Sequence, residues 1–76
     1  MNLSKADLGK EYIVRAIETD DEELNSFLFS LGCYSGVPIT VVSCKRNLFG
    51  RIVSYVISVK DARYTIDTQL AEAIVI

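Results

Sequence analysis

The side chains that most often carry out catalysis or bind transition metals are scarce in this sequence. It contains no histidine, and its two cysteines, Cys33 and Cys44, form no Cys-x-x-Cys motif. Without histidine there is no imidazole to act as a general base, and the usual zinc and non-haem iron ligand sets cannot be assembled. Neither a Gly-x-Gly-x-x-Gly loop nor a P-loop is present. The sequence therefore predicts a protein that is not an enzyme.

The two cysteines are expected to pack in the hydrophobic core and to have no catalytic or ligand-binding role. A free cysteine commonly behaves as a small buried hydrophobic residue, and Cys33 has no histidine to activate it. Reduced thiols also fit a cytoplasmic location. Metal ligation and a disulfide between Cys33 and Cys44 are the alternatives that the sequence leaves open.

One run of carboxylates could hold a divalent ion. Asp20, Asp21, Glu22 and Glu23 are consecutive, and carboxylate oxygens suit hard ions such as magnesium, calcium or manganese. Four consecutive side chains at the start of a helix point in several directions, however, and their charge also complements the helix dipole. We interpret the run as a helix start, with weak divalent-metal binding as the alternative, and expect no cofactor.

Several apolar side chains fit no predicted core face. Phe29 lies off the apolar stripe of the predicted helix, Tyr34 follows that helix, and Leu48 and Phe49 lie in a predicted hairpin loop. Contiguous exposed apolar residues mark protein contacts. The sequence therefore predicts two contact segments. One comprises Phe29, Tyr34 and Ser35 at the helix end and in the loop after it, and the other comprises Leu48 and Phe49 at the hairpin tip.

Length and composition predict one small domain over residues 1–76. Half of the residues are hydrophobic and only one is proline, which argues against disorder. The net charge of −2 disfavours nucleic acid, and we interpret the only basic cluster, Lys45, Arg46 and Arg51, as the solvated rim of a hairpin. No apolar run approaches the ~20 residues that span a bilayer, and no signal peptide is recognisable. We expect a cytoplasmic protein that reaches a membrane only through a partner.

The clearest helix signal lies in the first half of the chain. Thr19 is a good N-cap, and Glu22 three residues later completes a capping-box pattern. Gly32 is expected to end the helix in the left-handed conformation that costs glycine least. Between these limits an apolar stripe recurs at helical spacing, formed by Leu24, Phe27, Leu28 and Leu31.

The remaining segments alternate as strands do. Strands are predicted over residues 12–18, from residue 39 to the charges at 45–46, over 51–60, from about 62 to 67 and over 74–76. A hairpin turn is predicted at 47–50, and a short helical turn at 68–72 capped by Asp67 or Thr68. Five short strands cannot easily form two covered sheets. The sequence therefore predicts a mainly β fold, a small, partly open barrel with one α-helix after strand 1. An exposed barrel edge would allow self-association.

The order of several short motifs resembles the ferrous iron transport protein A (FeoA) family over essentially the whole chain. A leucine-led N-terminus and a strand precede a helix that ends at Leu31-Gly32. Gly36, the run Ile39-Thr40-Val41 and a long hairpin follow, and the chain closes with Ala71-Glu72-Ala73-Ile74-Val75. The resemblance implies a small SH3-like β-barrel with an inserted helix, in agreement with the strand count predicted from periodicity.

The same resemblance implies a function. A FeoA-like protein is a small cytoplasmic accessory protein of bacterial ferrous iron uptake, and its expected partner is the FeoB membrane transporter, which carries a cytoplasmic GTP-binding domain. Similar domains occur at the C-terminus of iron-dependent transcriptional repressors. The alternative is therefore a metal-sensing regulatory domain that binds a transition metal ion. A third interpretation, a barrel that binds RNA or DNA, is disfavoured by the acidic balance.

Overall fold

The computed structural model describes residues 1–76, which form six strands, two α-helices and one 3-10 helix. In chain order the elements are a 3-10 helix at Leu3–Lys5, β1 at Glu11–Ile13, β2 at Ala16–Ile17, α1 at Glu22–Ser30, β3 at Pro38–Arg46, β4 at Ile52–Val59, β5 at Ala62–Asp67, α2 at Thr68–Ala73 and β6 at Ile74–Val75. The mainly β architecture with a helix after the first strands confirms the predicted fold class. None of the helices is long and apolar enough to cross a lipid bilayer.

The strands form two antiparallel sheets. The larger sheet has the order β1-β3-β4-β5, and the smaller one pairs β2 with β6. The two ends of the chain meet beside the smaller sheet, where Asn2 forms a bridge with Val75 and the Ile76 amide donates to the Met1 carbonyl at 2.9 Å. This contact closes part of the barrel, because the C-terminal strand is held against both β2 and the N-terminus.

The single strand predicted over residues 12–18 is in fact two strands. The Val14 amide donates to the Val37 carbonyl at 2.9 Å, whereas the Arg15 amide donates to the Val75 carbonyl at 2.8 Å. Between Val14 and Arg15 the backbone thus stops pairing with the β3 side of the larger sheet and begins to pair with β6. Residues 11–17 therefore present no single alternating face, since the two halves of the segment belong to different sheets.

The core lies between the inner faces of β3 and β4 and the elements packed on them. Alternate residues of β3 and β4 are buried, as period-two patterning predicts. Alternation counted back from Tyr55 would place Val53 on the same buried face, but Val53 is 41% exposed. Lys45 pairs with Ser54 and Arg46 with Ile52, so Val53 is the extra residue of a β-bulge and is turned away from the core. Fourteen buried residues form the core cluster: Leu3, Val14, Leu28, Cys33, Val37, Ile39, Val41, Tyr55, Ile57, Val59, Ile66, Ala71, Ile74 and Ile76.

Helix α1 begins later than predicted. Its N-cap is Asp21, whose Oδ1 accepts hydrogen bonds from the backbone amides of Glu23 and Leu24 at 3.0 and 3.3 Å. Thr19 instead accepts a hydrogen bond from the Asp21 amide at 3.1 Å and so closes the turn before the helix. The prediction of Thr19 as the cap was wrong, because aspartate is at least as good a cap as threonine and lies directly before the helical residues.

The end of α1 is as predicted. Gly32 has a φ of +85°, the Cys33 amide donates to the Leu28 carbonyl, and the Gly32 amide donates to the Phe29 carbonyl, each at 2.9 Å. These two bonds form a Schellman motif, in which the residue after the glycine turns back toward the helix. Cys33 is fully buried there, as its expected role in the core requires.

Only part of the predicted apolar stripe of α1 reaches the core. Leu28 is fully buried, Leu24 and Leu31 are half-buried, and Phe27 is 47% exposed. The helix is therefore anchored mainly by one side chain in its last turn. At the other end of the chain, α2 is capped by Asp67, whose Oδ1 accepts from the Leu70 amide at 2.8 Å, one of the two predicted caps.

Candidate protein-docking surfaces

Two of the predicted contact residues stack on each other at the end of α1. The ring centroids of Phe29 and Tyr34 are 5.1 Å apart and their planes are inclined by 34°. Phe29 is 65% exposed, whereas Tyr34 is half-buried and packs against the core cluster. The Schellman motif brings the rings together, because it reverses the chain between them. Tyr34 therefore supports Phe29 from the side of the core.

Lys60 joins this pair, although sequence reasoning did not include it. Its Nζ donates a hydrogen bond to the Tyr34 hydroxyl at 2.5 Å and lies 4.5 Å from the centre of the ring. A Cβ on Gly32 would lie 3.2 Å from the Lys60 Cδ, so the glycine also makes room for the lysine stem. No local pattern could have revealed the contact, because Lys60 and Tyr34 are 26 residues apart in the sequence.

The backbone that presents Lys60 is a tight turn. Val59 pairs with Ala62, which leaves Lys60 and Asp61 as a two-residue connection with φ values of 50° and 65°. Both residues occupy the left-handed region, which the turn between β4 and β5 requires and which asparagine and glycine adopt more readily. The turn therefore directs the lysine toward the helix end despite a local conformational cost.

Ser35 lies in the same loop but uses its side chain within the protein. Its hydroxyl donates to the Arg15 carbonyl at 3.0 Å, and this bond ties the loop after α1 to the segment between β1 and β2. The residue itself is exposed. We call Phe29, Tyr34, Ser35 and Lys60 the helix-end surface.

A cleft on the solvent face of the larger sheet adjoins Lys60. It has a volume of about 240 Å³ and is lined by Glu11, Pro38, Thr40, Ser58, Lys60 and Asp61. Thr40 pairs with both Glu11 and Ser58, so these three residues form one row across the sheet. The cleft offers hydroxyl and carboxylate oxygens, and it is linked to the aromatic pair through Lys60, which lines the cleft and contacts Tyr34.

The other two predicted contact residues lie at the hairpin tip, residues 47–51 between β3 and β4. Leu48 is 100% exposed and Phe49 is 88% exposed. The turn beneath them is held by Asn47, whose Oδ1 accepts from the amides of Phe49 and Arg51 at 2.9 and 3.1 Å. Gly50 completes the turn with a φ of +78°. The two apolar side chains thus stand on an ordered turn without packing against the core.

The helix-end surface and the hairpin tip do not form one patch. Lys60 follows the last residue of β4, whereas the tip precedes its first residue, and the strand has eight residues. At about 3.3 Å per residue its ends are separated by roughly 23 Å. The structure therefore divides the five predicted contact residues into two surfaces at opposite ends of β4.

The acidic run does not form a metal site. No group of three or more histidine, cysteine, aspartate or glutamate side chains is close enough to hold an ion. The run comprises Asp20, Asp21, Glu22 and Glu23. The Oδ1 atom of Asp21 already accepts the hydrogen bonds that cap α1. A metal ion needs several donors that converge, and the residues present therefore do not fit one.

The two thiols are free and lie in different environments. Cys33 is fully buried, whereas Cys44 is half-buried on β3, and the structure contains no disulfide between them. Burial raises the pKa of the Cys33 thiol to about 11, because the low-polarity core disfavours the thiolate. Cys33 is therefore a neutral core residue at ordinary pH, and the alternative of a disulfide was wrong.

Comparison with protein families accounts for the entire chain. A family model described as the FeoA domain matches residues 1–76. The chain belongs to the FeoA family. The resemblance predicted from the motif order is thereby confirmed. Comparison with curated proteins finds no match for this FeoA-family chain.

Solved structures with the same fold include further FeoA proteins. A crystal structure of an iron uptake regulatory protein (FeoA) has a TM-score of 0.78 at 26% identity and covers 96% of this chain and 88% of its own. FeoA from Stenotrophomonas maltophilia, complexed with zinc and described as a prokaryotic SH3 domain protein, has a TM-score of 0.80 at 19% identity and covers 99% and 87%. The SH3-like fold predicted for this chain is thereby confirmed.

The same fold also occurs in a larger regulator. A manganese-dependent transcriptional repressor superimposes with a TM-score of 0.80 at 19% identity over 97% of this FeoA-family chain. Only 39% of the repressor is covered. At this identity the likeness concerns the fold alone.

Proposed function

We propose that this FeoA-family protein is a cytoplasmic accessory module of bacterial ferrous iron uptake that docks on the FeoB transporter or on its GTPase domain. Its family membership supports a role in ferrous iron transport. The observation that carries the docking proposal is the exposed, supported aromatic pair of Phe29 and Tyr34. The mechanism is surface complementarity without covalent chemistry, and residues 1–76 act as one domain.

The helix-end surface has the properties of an interaction hot spot. Aromatic side chains supply a large contact area at a low cost in conformational entropy, and they dominate the binding energy of many interfaces. Phe29 is 65% exposed while its neighbour Tyr34 is held by the core and by Lys60. Little ordering is therefore required when a partner covers Phe29.

The surroundings of the pair define the chemistry of the partner. Lys60 contributes a cation at one side of the rings, and the adjoining cleft contributes the hydroxyls of Thr40 and Ser58. A complementary surface would place an apolar side chain on Phe29 and polar groups over the cleft. We infer that the partner docks across the aromatic pair and the mouth of the cleft together.

Leu48 and Phe49 remain predicted partner contacts on a second surface. One partner domain would have to extend along the whole of β4, roughly 23 Å, to reach both ends. The FeoB docking proposal therefore rests on the helix-end surface and does not require the hairpin tip.

Amide chemical-shift titration with the cytoplasmic GTPase domain of FeoB tests the proposal, with and without a GTP analogue. We expect localised shifts over residues 29–36 and at Lys60, and their loss in the variant Phe29→Ser. Phe49→Ser is the matched control, because it also removes an exposed phenylalanine, 88% exposed against 65% for Phe29, but from the opposite end of β4. Absence of shifts at saturating GTPase domain, or loss of binding only in Phe49→Ser, would overturn docking at the helix end.

The alternative of a metal-sensing domain has a separate test. Solved structures with this fold include a zinc complex and a manganese-dependent repressor, but this chain brings no set of ligands together. Anaerobic calorimetry with ferrous ion distinguishes the two functions. Submicromolar binding would favour sensing, whereas only weak binding is expected from a docking module.

A further inference from the structure

The hairpin tip exposes apolar side chains that the fold does not need. Leu48 is 100% exposed and Phe49 is 88% exposed, and neither belongs to the core cluster or to the residues packed against it. Turns of this kind are usually polar, because nothing in the folded chain covers them. Two adjacent apolar residues that are almost completely exposed at a turn therefore indicate a partner outside the chain.

The turn that carries these side chains is formed in advance. Asn47 donates its amide to the Arg51 carbonyl at 2.8 Å and accepts from the Gly50 amide at 3.0 Å, in addition to the two bonds made by its side chain. Arg46 also donates to the Gly50 carbonyl at 2.8 Å. The turn is thus ordered before any contact, and its polar backbone groups are largely satisfied within the loop.

The charge around the tip has a single sign. Lys45, Arg46 and Arg51 flank it and are all exposed, although the chain as a whole has a net charge of −2. No acidic residue occurs in the sequence between Glu23 and Asp61. The nearest carboxylate in the sheet register is that of Asp67, which pairs with Ser54 and is two strands from Lys45.

We propose that the hairpin tip binds the surface of an anionic lipid bilayer. Leu48 and Phe49 enter the boundary between headgroups and acyl chains, while Lys45, Arg46 and Arg51 remain among the anionic headgroups. The apolar pair is complementary to the acyl chains, and the surrounding cations are complementary to the anionic headgroups. Lipid is favoured over an acidic protein, because Leu48 and Phe49 are 100% and 88% exposed and line no cleft, whereas protein hot spots fill packed pockets.

Lipid binding at the hairpin tip is separate from partner docking at the helix end. A membrane was expected to be reached only through a partner, but the tip provides a contact of its own. Because the helix-end surface lies roughly 23 Å away along β4, each surface can be removed without the other. Failure of lipid binding and failure of partner docking are therefore distinguishable.

Co-sedimentation of the full chain with lipid vesicles measures the binding. We expect binding to phosphatidylcholine vesicles that contain phosphatidylglycerol, weak binding to phosphatidylcholine alone, and weaker binding as salt increases. Loss of each cation should reduce the partition constant about fivefold, so the triple variant Lys45→Gln, Arg46→Gln and Arg51→Gln should lose about 100-fold. The double variant Leu48→Ser and Phe49→Ser should lose at least about tenfold.

Controls separate the tip from general effects. Phe29→Ser removes an exposed phenylalanine at the other end of β4 and should leave vesicle binding unchanged. Amide spectra of each tip variant should match the wild type away from residues 45–51. Absence of binding to the anionic vesicles would overturn the proposal, and so would binding that the Leu48 and Phe49 substitutions do not weaken. A dimer in solution that the same substitutions dissociate would assign the tip to a second copy instead.

A fluorescence measurement reports insertion directly. The chain has no tryptophan, so Phe49→Trp places a single probe at the tip. We expect its emission to move to shorter wavelength with anionic vesicles and to be quenched by lipids brominated on their acyl chains. Phe29→Trp is the matched probe at the helix end, where neither change is expected. Equal responses from both probes, or none from Phe49→Trp, would contradict insertion of the tip.

Discussion

Phe29 and Phe49 are both exposed phenylalanines, yet the protein holds them in different ways. Phe29 depends on distant parts of the chain, because Tyr34 supports its ring and Lys60 from the β4–β5 turn holds Tyr34. Phe49 depends only on its own turn, where Asn47 makes the bonds that order the backbone. A surface built from tertiary contacts should be lost when packing fails elsewhere. A surface built from a local turn should be disrupted only by changes within the turn.

The largest expected effect comes from removing the anchor of α1. Leu28 is the only fully buried residue of the helix, so Leu28→Ala should lower the free energy of unfolding by about 3 kcal/mol. Denaturant unfolding measures this loss. Partner binding at the helix end should weaken, whereas vesicle binding by the remaining folded protein should persist. Phe27→Ala is the control, and a loss as large as that of Leu28→Ala would show that the helix is anchored differently.

Substituting alanine for Gly32 at the helix end and for Gly50 at the hairpin tip compares the same backbone change at the two surfaces. Gly32 and Gly50 have φ values of +85° and +78°, so alanine at either position should cost about 1 kcal/mol. Only at Gly32 would the new Cβ also meet a neighbour, 3.2 Å from the Lys60 Cδ. Gly32→Ala should therefore cost more than Gly50→Ala in urea unfolding. The excess should disappear in a Lys60→Ala background, and an excess that persists there would contradict the contact.

Loss of the Asn47 side chain should affect the tip more than the whole fold. Asn47→Ala removes two hydrogen bonds from an exposed turn, so we expect a loss of about 0.5–1 kcal/mol in global stability. Amide hydrogen exchange should become faster at Phe49 and Arg51 and stay unchanged over residues 29–36. Faster exchange at the helix end would contradict the independence of the two surfaces.

The last effect is absent at neutral pH, arises only in alkaline solution, and concerns the part of the core beside the end of α1. The pKa of Cys33 is raised from 9.0 to about 11, so the folded state retains a proton that the unfolded state releases. Stability should thus be unaffected by this group below pH 9 and should fall as the pH rises from about 9 toward 11. The measurement is urea unfolding against pH, with Cys33→Ala as the reference. An equal alkaline decline in that variant would assign the effect to other groups.

The end of α1 illustrates how far sequence alone could predict the site. Gly32 was predicted as the helix end, and Phe29 and Tyr34 as neighbours, because the reversal is a local event that glycine makes cheap. Lys60 could not be predicted, since its contact with Tyr34 depends on how the β4–β5 turn meets the helix. The choice of Asp21 over Thr19 as the cap likewise depended on competition between two nearby acceptors.

Local patterns in the sequence determined most of the secondary structure of this protein. Period-two alternation predicted β3 and β4. Asp67 was one of the two residues predicted to cap α2, and the turn at 47–50 was predicted from its asparagine and glycine. Only the tertiary structure decided that the first strand is shared between two sheets and that the contact residues form two surfaces. The reason is physical: alternation and turns arise between near neighbours, whereas strand partners and surface patches are set by long-range packing.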